Sequence, residues 1–170
     1  MFLVNRFLII DVLKVRSMKN MGLKMKTVIV YHSQHHGNTK KLLDAIKEAF
    51  SDVKLVDITK SRIDDLKEYD RIGVASGIYY SKFHKEMIEY IEEKLPEGKQ
   101  VFAIFTCGRM SKGYTKDIKA LAEKKNCSWA GEYGCLGFDT FGPFKAVGGI
   151  QKGHPTEEEI QGAVEFYQGL

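Results

Sequence analysis

From Lys26 onward, short apolar runs alternate with stretches in which apolar residues recur every three or four positions. Residues 27–31 (TVIVY) are β-branched and apolar almost throughout, the composition of a parallel strand buried on both faces. Residues 53–56, 70–76, 100–105 and 129–136 repeat this pattern and predict four more strands. Between them, residues 39–50 carry Leu42, Leu43, Ile46 and Phe50 at helical spacing. A second helix is expected around Met87, Ile88 and Ile91, and a third around Ile118, Leu121 and Ala122. Residues 156–167 close the chain as a helix, with Thr156 as N-cap and Glu157–Glu159 in a first turn whose dipole favours anions. Five strands alternating with helices predict an α/β fold. Its expected form is a doubly wound five-stranded parallel sheet with helices on both faces, because parallel strands require right-handed crossovers. A ligand in such a fold sits beyond the carboxyl ends of the strands, so the loops after strands one, three, four and five are the ones to search.

The first 25 residues stand apart from this pattern. They are apolar and then basic, and the apolar part is broken by Asn5, Arg6 and Asp11. It is too short to span a bilayer and lacks a basic lead-in and a small-residue cleavage site. Met18, Met21 and Met25 follow in close succession just before the domain pattern. The expectation is a translation start at one of them, with residues 1–25 an extension outside a single domain of residues 26–170. The alternative is an amphipathic segment that packs on a partner or a membrane surface.

Composition narrows the function classes. With 170 residues, 44% of them hydrophobic, the chain can bury one core without metal or disulfide staples. A net charge of +4 without a concentrated basic stripe argues against nucleic acid as a partner. Cys107, Cys127 and Cys135 form no CxxC pair, which suits a reducing cytoplasm.

The loop after strand one reads Ser33-Gln34-His35-His36-Gly37-Asn38-Thr39 and runs into a helix. Small polar residues around one Gly let backbone N–H groups converge, and the helix adds its unpaired N–H groups and positive dipole end. No acidic residue lies between Ser33 and Asp44 to oppose an anion. The plainer reading is an ordinary helix N-cap by Asn38 or Thr39. There is no GxGxxG and no GxxxxGK[ST], so dinucleotide and nucleotide P-loop fingerprints are both disfavoured.

The run VIVYHSQHHGNTKKL resembles the phosphate-binding signature of flavodoxins, in which a hydroxyl-rich loop ending in Gly-Asn-Thr encloses the FMN phosphate. Ser33, Gly37, Asn38 and Thr39 match it, while His35 and His36 stand where the family often has Thr or another small polar residue. At least one of these rings is expected to face water. A second run, DRIGVASGIYYSKFH, is similar to the third-strand region of the flavodoxin-type protoporphyrinogen oxidases, and GFDTFGPFK supplies aromatics and Gly after strand five. The resemblance covers residues 26–170 and implies a flavodoxin-like fold with FMN as cofactor. The cofactor-binding residues it implies are Ser33, Gln34, His35, His36, Gly37, Asn38 and Thr39 for the phosphate end. For the ring they are Ser76, Gly77, Ile78, Tyr79, Tyr80, Phe83, Thr106, Cys107, Gly108, Phe138 and Phe141. A flat apolar ring with a hydrogen-bonding edge calls for aromatic faces and close backbone donors. Some of these aromatics belong to the core, Phe83 foremost, and Cys107 is read as a small loop residue rather than a redox nucleophile.

FMN carries the electron chemistry, so no catalytic side chain is expected. The function implied is FMN-dependent electron transfer. The chain is either a carrier meeting a redox partner protein or a small oxidoreductase using a quinone, porphyrinogen or similar small-molecule acceptor. Lys82, Lys85, Arg109, Lys112 and Lys145 against Asp139 lead to the expectation of a higher flavin potential than in an acidic flavodoxin. Two other classes compete. A phosphorelay receiver needs acidic residues after strand one and an Asp after strand three, where this chain has Tyr31-His32-Ser33 and Ser76-Gly77. A flavin-free scaffold acting through protein contacts is the remaining alternative.

Overall fold

The computed structural model describes residues 25–170 apart from His35 and Asp64, and apart from the side chain of Pro143. The N-terminal extension therefore lies, but for Met25, outside the described residues. The strands are β1 Thr27–His32, β2 Lys54–Asp57, β3 Arg71–Tyr79, β4 Lys82–Phe83, β5 Gln100–Cys107 and β6 Ser128–Leu136. The helices are α1 Asn38–Ala49, α2 Lys85–Lys94, α3 Lys116–Lys124 and α4 Glu157–Gln168, with a 3-10 turn at Gly142–Val147.

Five strands form a parallel sheet in the order β2-β1-β3-β5-β6, as the alternating pattern predicts. Strand order reverses at β1 and β3, which places the switch point between their carboxyl ends. Both faces are covered because β1 is apolar on both. Val28 and Val30 face a core with Met87, Tyr90 and Ile91 of α2 and Ile118 and Ala122 of α3. Ile29 and Tyr31 face the opposite core, with Leu42, Leu43 and Ile46 of α1 and Ala163 and Tyr167 of α4. Thr156 caps α4 through a capping box with Glu159. Among the described residues no helix is long and apolar enough to cross a membrane.

Two details depart from the expectation. β2 begins at Lys54 rather than Val53, and Val53 is buried just ahead of it. Residues 58–70, between β2 and β3, where no helix was expected, hold none among the described residues, and Ile58, Leu66 and Tyr69 fill the core from non-helical backbone. The segment 77–83, read as a loop, is instead a hairpin: β3 continues to Tyr79 and pairs antiparallel with β4 as a sixth strand. The turn residues Tyr80 and Ser81 both have positive φ, 50° and 64°. Such two-residue turns ordinarily take Asn or Gly, so the sequence carried no hairpin signal here.

Candidate functional site

The loop leaving β1 turns into α1 through Gly37, which sits at the N-cap with φ 64°. That left-handed conformation is natural for Gly and costly for a side-chain-bearing residue. Gly37 offers no side chain to cap the helix, and the first turn of α1 carries no acidic residue. The start of α1 thus presents N–H groups and the positive end of the helix dipole to the switch point. Neither Asn38 nor Thr39 is the N-cap. Both lie inside the helix and send their side chains across the site.

Asn38 Nδ2 donates to the Phe138 carbonyl at 2.7 Å, and its Oδ1 is buried without a partner among the described residues. Thr39 Oγ1 meets Thr106 Oγ1 at 2.8 Å, joining α1 to the end of β5. Ser33 Oγ accepts the Lys40 N–H at 3.3 Å. His36 lies against Phe138, with ring centroids 4.4 Å apart, and its Nε2 is 2.8 Å from Thr140 Oγ1, so an exposed ring is held on the loop after β6.

These contacts frame a cleft lined by Ser33, Gln34, Asn38, Thr39, Gly77, Ile78, Tyr79, Thr106, Cys107, Gly108, Gly137, Phe138, Asp139 and Phe141. Between these side chains about 30 Å³ is free, room for a water or two. Asp139 fills part of it. Its carboxylate lies so close to Gly108 that a Cβ there would collide with it, and its Oδ1 accepts the Phe141 N–H at 2.7 Å. Phe141 in turn packs edge-on against Tyr79 and Tyr80, at 5.6 and 5.3 Å between centroids.

A broader groove of about 300 Å³ continues from the cleft, sharing Ile78, Cys107, Gly108, Asp139 and Phe141 with it. Tyr80, Ser81, Arg109, Tyr114, Gly142 and Phe144 complete its largely apolar walls. Cleft and groove form one trough, polar at the start of α1 and aromatic at its far end. Burial raises the Tyr79 hydroxyl above its ordinary range and pushes the Cys107 thiol up to about 11. Cys107 is therefore protonated at neutral pH and a poor nucleophile, in keeping with a lining role.

Most of the expected site residues converge on this trough. Ser33, Gln34, Asn38, Thr39, Gly77, Ile78, Tyr79, Thr106, Cys107, Gly108, Phe138 and Phe141 line the cleft, and Tyr80 lines the groove. His36 and Gly37 shape the loop without lining either part. Ser76 is fully buried below the site, where its Oγ donates to the Gly77 carbonyl and accepts the His84 N–H. Phe83 is buried in the core edge-on to Phe105, away from the trough, because the β3–β4 pairing turns it inward. His35 lies outside the described residues.

Sequence reasoning undervalued Asp139 and Gly137, which stand in the GFDT run after β6. It also missed Tyr114 and Phe144, which only the folding of separate loops brings together. Two of the basic residues taken as neighbours of the ring are engaged elsewhere. Lys82 pairs with Asp117 at 3.2 Å and Lys85 with Glu89 at 3.3 Å, which leaves Arg109 and Asp139 as the charged residues lining the trough.

Residues 28–134 match the protein family described as a flavodoxin domain. An uncharacterised protein of Methanocaldococcus jannaschii is 33% identical over 148 residues, which cover 86% of this chain and 98% of that protein. Among solved structures, an archaeal flavodoxin superposes with a TM-score of 0.62 at 21% identity, over 82% of this chain and 92% of that one. A Fusobacterium nucleatum flavodoxin bound to flavin mononucleotide gives 0.60 at 15% identity, over 86% and 96%. An NADPH-quinone reductase of P. pentosaceus gives 0.58 at 14% identity, over 84% and 97%. At such identities these structures speak for the fold.

Proposed function

The chain belongs to the flavodoxin domain family, and from that premise we propose that it binds FMN and passes electrons through it. The observation that carries this reading is the continuity of the trough at the sheet's switch point, from the uncapped start of α1 to the aromatic groove. A phosphate monoester suits the polar end, where helix N–H groups, Ser33, Asn38 and Thr39 gather without an opposing acid in the first turn. The unpartnered Asn38 Oδ1 marks a buried acceptor that a ligand hydroxyl or ordered water would satisfy. A flat ring suits the other end, between Tyr79, Tyr80, Phe141 and Phe144.

Bound FMN supplies the one- and two-electron chemistry. The chain's own residues bind, orient and shield. Asn38 and His36 tie the phosphate loop to the loop after β6, so both ends of the cofactor site depend on each other. Since the cleft between Tyr79, Asp139 and Phe141 is narrow, seating the ring there would require the hairpin tip and the loop of Phe138–Phe141 to part. Tyr80 and Phe144 expose apolar surface along the groove, suited to a redox partner protein or a planar small-molecule acceptor. The filled cleft itself favours the competing reading, a flavin-free scaffold.

Absorbance spectra of the purified full-length chain, titrated with FMN and with riboflavin, decide between them. Flavin bands and binding that strongly favours FMN over riboflavin support the redox reading. Failure to bind FMN at micromolar concentration overturns it and leaves the scaffold.

A further inference from the structure

Beneath the trough, two histidines 52 positions apart in the sequence lie face to face. His32 is the last residue of β1, and His84 immediately precedes α2. Their rings are 3.7 Å apart and within 9° of parallel, and Tyr79 meets both edge-on. His32 is fully buried, yet neither of its ring nitrogens has a hydrogen-bond partner among the described residues, and buried Nδ1 of His84 is in the same position. Buried imidazole nitrogens are ordinarily satisfied by protein, water or an ion, and three unsatisfied ones in one place call for an explanation. Glu86, in the first turn of α2, completes the cluster: one ligand atom from each of His32, His84 and Glu86 lies within 4.8 Å of the others.

We propose that His32, His84 and Glu86 form a binding site for a divalent transition-metal cation of the zinc type. Two imidazoles and one carboxylate are a donor set that suits zinc, cobalt or nickel, whereas calcium and magnesium prefer oxygen ligands alone. The burial gradient gives the ion a route: Glu86 is exposed, His84 half-buried, and His32 forms the closed end. Three protein ligands leave a fourth tetrahedral position for water. None of the three residues lines the trough, so the site is separate from the flavin site and does not rest on it.

A metal lies in the plane of each imidazole that binds it, so two parallel rings cannot both ligate while stacked. The hydrogen bond of the His84 N–H to Ser76 Oγ, at 3.1 Å, fixes the backbone while leaving its side chain to rotate. His84 therefore turns out of the stack as the ion enters, and the change occurs directly under Tyr79.

The test is a cobalt(II) titration of the full-length chain, followed by visible absorbance and by thermal melting. The expected result is one equivalent of cobalt with ligand-field bands and a raised Tm. His84→Gln should abolish both effects, and Glu86→Gln should weaken binding tenfold or more. His36→Ala and His154→Ala, which alter exposed and half-exposed rings elsewhere, should leave binding unchanged. Glu86 is exposed, so its variant keeps the test decisive should His84→Gln fail to fold. Absence of bands in the unaltered chain overturns the proposal. So does binding that survives Glu86→Gln undiminished, or intense thiolate charge-transfer bands that place the metal on cysteine.

Discussion

Asn38 reaches from the first turn of α1 to the carbonyl of Phe138, donating at 2.7 Å across a sequence distance of 100 residues. One side chain thus holds the loop leaving β1 against the loop after β6. Its removal should loosen both. Asn38→Ala is expected to weaken FMN binding by roughly tenfold or more, the effect of losing a buried hydrogen bond and leaving a carbonyl unpaired. Quenching of flavin fluorescence on titration measures it, and an unchanged Kd would remove Asn38 from the site.

Gly108 permits the close approach of the Asp139 carboxylate, with which a Cβ at that position would collide. Gly108→Ala should therefore displace Asp139 and impair FMN binding. Pairing it with Asp139→Ala should restore part of the loss, with a coupling on the order of 0.5–3 kcal/mol for residues in direct contact. Strict additivity in the double-mutant cycle would show that the collision is relieved in another way.

Asp139 is the carboxylate that lines the cleft, and a negative charge beside a flavin opposes the anionic reduced form. Asp139→Asn is expected to raise the midpoint of the reduced couple by about 60 mV, equivalent to about 1.4 kcal/mol for one electron. Potentiometric titration of the two FMN-loaded proteins checks the sign. Because Lys82 and Lys85 are turned to Asp117 and Glu89, neutralising either should move the potential less than this change at Asp139.

Glu159 gives the fold a pH dependence. Burial works against its ionisation, but the Thr156 N–H at 2.7 Å, the His154 ring at 2.8 Å and the Leu136 N–H at 3.3 Å hold its carboxyl below the usual range. The folded value lies below the unfolded one, so the stabilisation is complete above the unfolded carboxylate value, about 4.3, and disappears as pH falls through the folded value. Thermal melts from neutral to acid pH should show the unaltered chain losing more stability than Glu159→Gln. At neutral pH that variant should be less stable by about 1 kcal/mol. Parallel pH profiles for the two proteins would count against this assignment.

The sheet was legible because its signals are local. TVIVY and QVFAIF announce strands buried on both faces, and Thr156 with Glu159 announces a capped helix start. The part of the cleft at the start of α1 was legible for the same reason, since Ser33 to Thr39 are contiguous. What depends on distant pairing was not. The hairpin hid behind Tyr80 and Ser81, which adopt positive φ without the usual turn residues. His32 and His84 read as unrelated residues, because stacking across 52 positions leaves no periodic trace.

The sheet's two open sides are each poor templates for a further strand. β2 has only four residues, with Lys54 exposed at its start. Along β6 the register slips after the Val101–Trp129 pair, so that Phe102 faces Gly131 and Ala130 is left over as a bulge. A short edge and a kinked one both discourage edge-to-edge growth between molecules. The same irregularity that offsets β6 against β5 thus serves the chain at high concentration, where concentrated samples should scatter light as separate molecules rather than fibrils.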